Sequence, residues 1–123
     1  MRGIRGAISV EEDTREAILE AAGLLLQEMV AANKVQVEDV CSILFTMTPD
    51  LHAVFPAEAA RKLNWVHVPL VCAQEVEVHG ALGRCIRVLM HWNTTLKPDK
   101  IRHVYLRKAE SLRPDLKKGS AGG

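Results

Sequence analysis

Large aromatic side chains are almost missing from this chain of 123 residues: Phe45, Phe55, Trp65, Trp92 and Tyr105 are all there are. A chain of this size buries roughly two-thirds of the surface its unfolded form exposes, so a core is available but thin. Association with further copies is a common way for such a chain to complete its apolar burial. An excess of one charge is missing too. The formal net charge is +1, and the only basic cluster beyond scattered arginines is Lys117-Lys118. Phosphate backbones call for a dense basic surface, so nucleic acid is not the expected partner. No apolar window approaches the length of a membrane span, and the N-terminal residues form no signal-peptide core. Cysteine is sparse: Cys41, Cys72 and Cys85 are odd in number and widely spaced. They read as free thiols in a reducing cytoplasm, not as a disulfide framework.

Familiar catalytic spacings are absent as well. No pair among the histidines and cysteines has the close spacing of a zinc site. His67 and Cys72 come nearest, and ordinary strand residues explain them better. Cys72 has no base nearby in sequence that would activate it as a nucleophile. No glycine-rich loop has P-loop or dinucleotide-binding spacing.

What is present reads as a single domain over residues 1–118, followed by a flexible Gly-rich tail at 119–123. Residues 2–10 alternate Ile4, Ile8 and Val10 with Arg5, Ala7 and Ser9, which predicts an opening strand with Arg5 turned away from the isoleucine face. Gly3 and Gly6 bracket Arg5, and glycine within a strand marks a bulge or a close approach to the backbone. Asp13 and Glu16 have the spacing of a capping box, with Asp13 as N-cap. The helix they open runs to about Asn33, with Ile18, Ala22, Leu25, Leu26, Met29 and Val30 as its buried stripe. Residues 40–47 follow as a strand apolar on both faces, which suits cover on both sides and completes a βαβ unit. Pro56 opens a short helix over 57–63. Residues 65–72 read as extended and near a sheet edge because of Pro69, and 73–80 continue into a turn. Residues 101–106 make a last strand, and a short helical piece reaches 112–114.

The central stretch is 83–92, Gly-Arg-Cys-Ile-Arg-Val-Leu-Met-His-Trp. Its apolar run is too short for most helices and suits an interior strand. Arg87 sits among residues that prefer burial, and a guanidinium withdrawn from water needs a partner. Either another side chain or a bound anion must balance it. Arg5, Arg61, Arg87 and Arg113, with Tyr105 and Glu75, form a set suited to a small, multiply anionic organic ligand, because arginine forks match carboxylates bidentately. Taken singly, Arg5 and Arg61 also read as ordinary solvated arginines.

Several longer stretches resemble one family. Arg-Gly-Ile-Arg-Gly-Ala near the start, Thr-Pro-Asp-Leu-His-Ala-Val-Phe-Pro-Ala at 48–57 and Cys-Ile-Arg-Val at 85–88 are similar to the small monofunctional bacterial chorismate mutases of the AroH class. So are Ile-Arg-His-Val-Tyr-Leu at 101–106 and Leu-Arg-Pro-Asp-Leu at 112–116. The resemblance implies an α+β subunit, with helices packed on a mixed β-sheet, assembled as a homotrimeric pseudo-α/β-barrel with active sites between subunits. It implies the Claisen rearrangement of chorismate to prephenate, without cofactor, metal or covalent intermediate. By the same resemblance, Arg87 meets the ether oxygen, and Glu75 and Cys72 hold the ring hydroxyl. Arg5 and Tyr105 bind the enolpyruvyl carboxylate. Phe55, Ala57 and Arg61 come from the adjacent subunit, Leu70 and Val71 line the wall, and Leu112 with Arg113 covers the site. Glu58 departs from the pattern, standing where relatives can carry a basic residue. Two other readings use the same arginines: a trimeric regulatory module that binds a small carboxylate, and a trimeric imine or enamine hydrolase.

Overall fold

Why the first helix begins where it does is a matter of which side chain reaches the free amides. In the structure, a computed structural model that describes residues 1–112, Thr14 is the N-cap and its hydroxyl accepts from the Ala17 amide at 3.1 Å. The expected cap, Asp13, is engaged elsewhere. Its Oδ1 accepts the amides of His52 and Ala53 at 2.9 and 3.0 Å. A carboxylate satisfied by two amides of another loop has no reason to cap its own helix. The helix α1 spans Arg15–Asn33 and ends at Lys34, whose left-handed backbone lets its amide reach back to the last turn.

Five strands form one mixed sheet: β1 (Arg2–Ser9), β2 (Val40–Met47), β3 (Leu70–Gln74), β4 (Cys85–Trp92) and β5 (Val104–Leu106). Their order is β3-β2-β4-β1-β5, with β4 antiparallel to both neighbours and the two edge strands parallel to theirs. The β1–α1–β2 unit is therefore split, because β4 inserts between the two strands it joins. A bulge between Val40 and Ser42 bends the start of β2. The short helix α2 covers Glu58–Lys62. The extended segment expected from residue 65 starts only at Leu70, since a turn occupies the residues before Pro69. The last strand likewise starts at Val104, and the short 3₁₀ helix over Arg107–Leu112 follows it directly. The expected tail at 119–123 and the boundary at 118 lie outside the described residues.

The core lies between α1 and one face of the sheet. Ile4 and Ile8 of β1, Ile43 and Phe45 of β2, and Ile86, Val88 and Met90 of β4 meet Ile18, Leu25, Leu26 and Met29. Strand alternation sends the intervening residues to the other face. There Leu44, Thr46, Arg87, Leu89 and Arg5 are half-buried or exposed, so β2 is covered on one side only. That corrects the expectation that it is covered on both. A small separate cluster of Ala7, Cys85, Tyr105 and Ala109 closes the β5 end of this second face. Among the described residues, no helix is long and apolar enough to cross a membrane.

Gly6 marks a close approach, as its place in the strand suggests. A Cβ there would lie 2.5 Å from Met29 Sδ and 3.1 Å from Leu25 Cδ1. Both neighbours are fully buried, so neither can swing into solvent. Gly6→Ala is expected to cost about 1–3 kcal/mol through overpacking. Gly23→Ala on α1, with nothing within 4 Å, should instead stabilise by about 0.5–1 kcal/mol. Thermal melts of the two variants check this opposition.

Candidate active site

The register of the sheet decides which side chains meet. Arg87 lies opposite Ala7 on β1 and Thr46 on β2, while Arg5 lies opposite Leu89. Tyr105 lies beside Ala7 from β5. These pairings bring Arg5, Arg87 and Tyr105 onto the sheet's second face around one cleft of about 270 Å³, floored by Leu44, Thr46 and Leu89.

Glu75 reaches the same place from the end of β3. Its amide donates to Met47 O at 2.9 Å, extending the β2–β3 ladder by one bond and fixing where the side chain starts. Arg87 Nε donates to both carboxylate oxygens of Glu75, at 3.2 and 3.1 Å. The Thr46 hydroxyl donates to Oε2 at 2.8 Å. Of the two ways to balance Arg87, a protein partner is the one realised, and that partner is Glu75. The guanidinium is less buried than its apolar neighbours suggest, with 45% of the side chain exposed against 17% for Glu75. It stands on the uncovered face, so only part of its hydration is lost. The pairing engages Nε, and the terminal nitrogens form no further ion pair among the described residues.

Thr46 went unnoticed in the sequence reading, although its place between Phe45 and Met47 puts it on the Arg87 face by simple alternation. His103 was missed as well. Its Nδ1 accepts the Arg5 amide at 2.9 Å, which fixes the β5-side edge of β1 next to the arginine.

Not every candidate residue joins this cleft. Cys72 pairs with Phe45 in the sheet and therefore shares the core side. It lines a second cavity of about 540 Å³ with Met47, Val54, Phe55 and Pro56. Phe55 is 69% exposed there. Ala57 is buried behind it and Arg61 is exposed on α2. Glu58 is tied to Arg15 of α1 at 3.0 Å, which fastens α2 to the rest of the fold. Leu70 is half-buried, and Val71 is exposed beside the paired Leu44. Leu112 packs against the Ala7–Tyr105 cluster, and Arg113 lies outside the described residues. The described residues therefore line two separate hollows: a cationic cleft on the sheet, and an apolar cavity at its β3 edge.

The start of β4 is held by a polar knot. Thr48 Oγ1 donates to Asp50 Oδ1 at 2.6 Å and accepts the Cys85 amide at 2.9 Å. Asp50 also accepts the Arg84 amide with both oxygens. Burial pushes the Asp50 carboxyl upward, but these bonds and the Arg84 charge outweigh it and hold the group below its ordinary value. Burial pushes the Cys85 thiol up to about 11, against the pull of Arg87. At neutral pH it stays protonated and cannot serve as a nucleophile.

A one-sided sheet that presents a carboxylate-braced arginine, a second arginine and a tyrosine in one cleft fits a class, proteins that hold a small organic anion by preformed donors, and among the described residues the cleft has no activated nucleophile. Comparison with known proteins narrows the class. Residues 1–116 match the family Chorismate mutase type I. A chorismate mutase AroH of Thermus thermophilus is 56% identical over 117 residues, covering 94% of this chain and 96% of that protein. One from Bacillus subtilis is 52% identical over 117 residues, covering 94% and 92%. Among solved structures, a chorismate mutase from Clostridium thermocellum superposes with a TM-score of 0.89 at 43% identity, over 90% of this chain and 99% of that one. The chain belongs to the type I chorismate mutases.

Proposed function

We propose that this protein converts chorismate to prephenate, the rearrangement at the branch towards phenylalanine and tyrosine, and that the cationic cleft is the place of reaction. The observation that carries this reading is the Arg87 guanidinium, braced by Glu75 in one cleft with Arg5 and Tyr105. The reaction is a single cyclic shift within one molecule. The ether C–O bond breaks as a C–C bond forms, no proton is transferred, and negative charge builds on the departing oxygen. A fixed donor aimed at that oxygen is worth roughly 3–4 kcal/mol. Enzymes lower barriers by about 8 kcal/mol or more, so Arg87 supplies a large part and conformational restraint the rest.

Each role follows from where the side chain stands. Arg87 keeps terminal donors available while Glu75 holds Nε, which suits donation to the ether oxygen. Glu75 accepts the ring hydroxyl with a carboxylate that Thr46 already orients. Arg5 and Tyr105, side by side across β1 and β5, clamp the enolpyruvyl carboxylate and fold that arm over the ring.

Among the described residues the cleft is lined from the sheet alone, while Phe55 and Cys72 line the cavity at the β3 edge and Arg61 is exposed on α2. A trimer in which the β3 edge of one copy closes the cleft of the next would join the two hollows. The exposed Val71, Val76 and Val78 near that edge support such a contact. The same reading puts Cys72 with Phe55 on the wall supplied by the neighbour. Free cysteines throughout fit a cytoplasmic home.

The test is direct. Purified protein mixed with chorismate should consume it in an ultraviolet assay and yield prephenate. Absence of turnover by folded protein would sink the reading. Ammonia released from imino acids would favour the hydrolase, and carboxylate binding without turnover the regulatory module.

A further inference from the structure

The strand that carries Tyr105 is the shortest in the sheet. β5 has only three residues and joins β1 through three parallel pairs, Gly6–Val104, Ala7–Tyr105 and Ile8–Leu106. A parallel edge strand this short does not hold its own register. The residue immediately after it, Arg107, adopts a left-handed backbone with φ 57°, a conformation that a long side chain rarely takes without being held there.

Three links hold it. Arg107 Nη2 donates to both carboxylate oxygens of Glu20 on α1, at 2.9 and 3.0 Å. Its Nη1 donates to the Ser9 carbonyl at 3.4 Å. The next amide, of Lys108, donates to Ser9 Oγ at 3.1 Å, and Ser9 is 4% exposed at the end of β1. The turn is thus clamped to β1 and α1 at once. Two residues before it stands Tyr105, and five residues after it Leu112 packs on the Tyr105 cluster.

We propose that Arg107 is a positioning residue. Its clamp on Glu20 and Ser9 sets the register of β5, and through it the placement of the Tyr105 phenol that helps bind the substrate carboxylate. The role of Tyr105 rests on the function proposed above; the clamp itself does not. Because the clamp acts on a contact present in both the bound ground state and the transition state, its loss should appear in KM and not in kcat.

The chain's single tyrosine gives a readout independent of activity. Protein labelled with 3-fluorotyrosine shows one ¹⁹F resonance, from position 105. Arg107→Gly, which relieves the backbone while removing the clamp, and Glu20→Gln should each shift or broaden that resonance. Each should raise KM for chorismate about 3–10-fold with kcat within about twofold. Arg107→Lys, which keeps a cationic donor for Glu20 and the Ser9 carbonyl, should disturb both readouts less than Arg107→Gly, which a merely disturbed fold would not do. An unchanged resonance in folded Arg107→Gly and Glu20→Gln overturns the proposal, and so does a folded Arg107→Lys that moves the resonance as far as Arg107→Gly does. Should the wild type turn over no chorismate, the function falls, while the ¹⁹F comparison still decides on the clamp.

Discussion

Arg87→Ala should lower kcat about 10²–10³-fold while leaving KM within a few-fold of the parent. The reasoning runs through charge. In the ground state the ether oxygen is nearly neutral and gains little from a guanidinium. As the C–O bond lengthens, the oxygen becomes an acceptor of charge-assisted hydrogen bonds, and a donor already fixed in place needs no reorganisation. Glu75 does the fixing through Nε. The substitution should not unfold the protein, because nearly half of the Arg87 side chain is exposed and Glu75 keeps its bond to Thr46. Lysine should recover little. Its single ammonium cannot pair with Glu75 and present a second donor in the same plane. Steady-state kinetics beside a thermal melt checks both variants. A kcat within tenfold of the parent in folded Arg87→Ala would place the developing charge elsewhere.

Two inactive variants should restore each other's activity when made in the same cell. Arg87→Ala removes the cleft half of the site, and Arg61→Ala removes a residue of the α2 half. If each site draws one half from either side of a subunit boundary, random mixing in a cyclic trimer leaves about one site in four with both halves intact. Activity should then rise from near nothing to about a quarter of the parent's, well above the sum of the separate variants. Differently tagged copies purified through both tags are all mixed trimers with one intact site each, so that fraction should reach about a third of the parent's activity. No gain over the sum would mean that both halves belong to one protomer's site. Gel filtration of the same preparation reads the number of copies directly.

The residues that follow simple periodicities were readable in advance. The alternation of Ile4, Ile8 and Val10 with Arg5 and Ala7 identified β1 and the face on which Arg5 stands. The 3.6-residue stripe from Ile18 to Val30 did the same for α1. What could not be read depends on distant partners. Asp13 looks like a helix cap in sequence, but it binds amides about 40 positions away. Arg87 looks buried among Ile86, Val88 and Met90, yet it stands on the sheet's second face, which the described residues cover only at the β5 end. Strand order was beyond reach, because nothing local states that β4 separates β1 from β2. The convergence of Arg5, Glu75, Arg87 and Tyr105 depends on that order. Residue chemistry could suggest them as a set, but only the resemblance to a known family gave each a place in one site beforehand.

The insertion of β4 also governs when the molecule can become a folded object. Residues 2–9 pair with residues 85–92 on one side and 104–106 on the other, and residues 40–47, which have β3 on one side, wait for 85–92 on the other. A growing chain that has made everything up to residue 84 holds an amphipathic helix and strands with a gap where the middle should be. Hydrogen-bonding edges on β1 and β2 stay open until the missing strand arrives. Pairings this far apart in sequence are slow, on the order of milliseconds to seconds, because loop closure precedes any reward from contact. Arg87 rides on the strand that closes the gap. Nascent and half-assembled chains are therefore exposed to aggregation before Arg87 is in place.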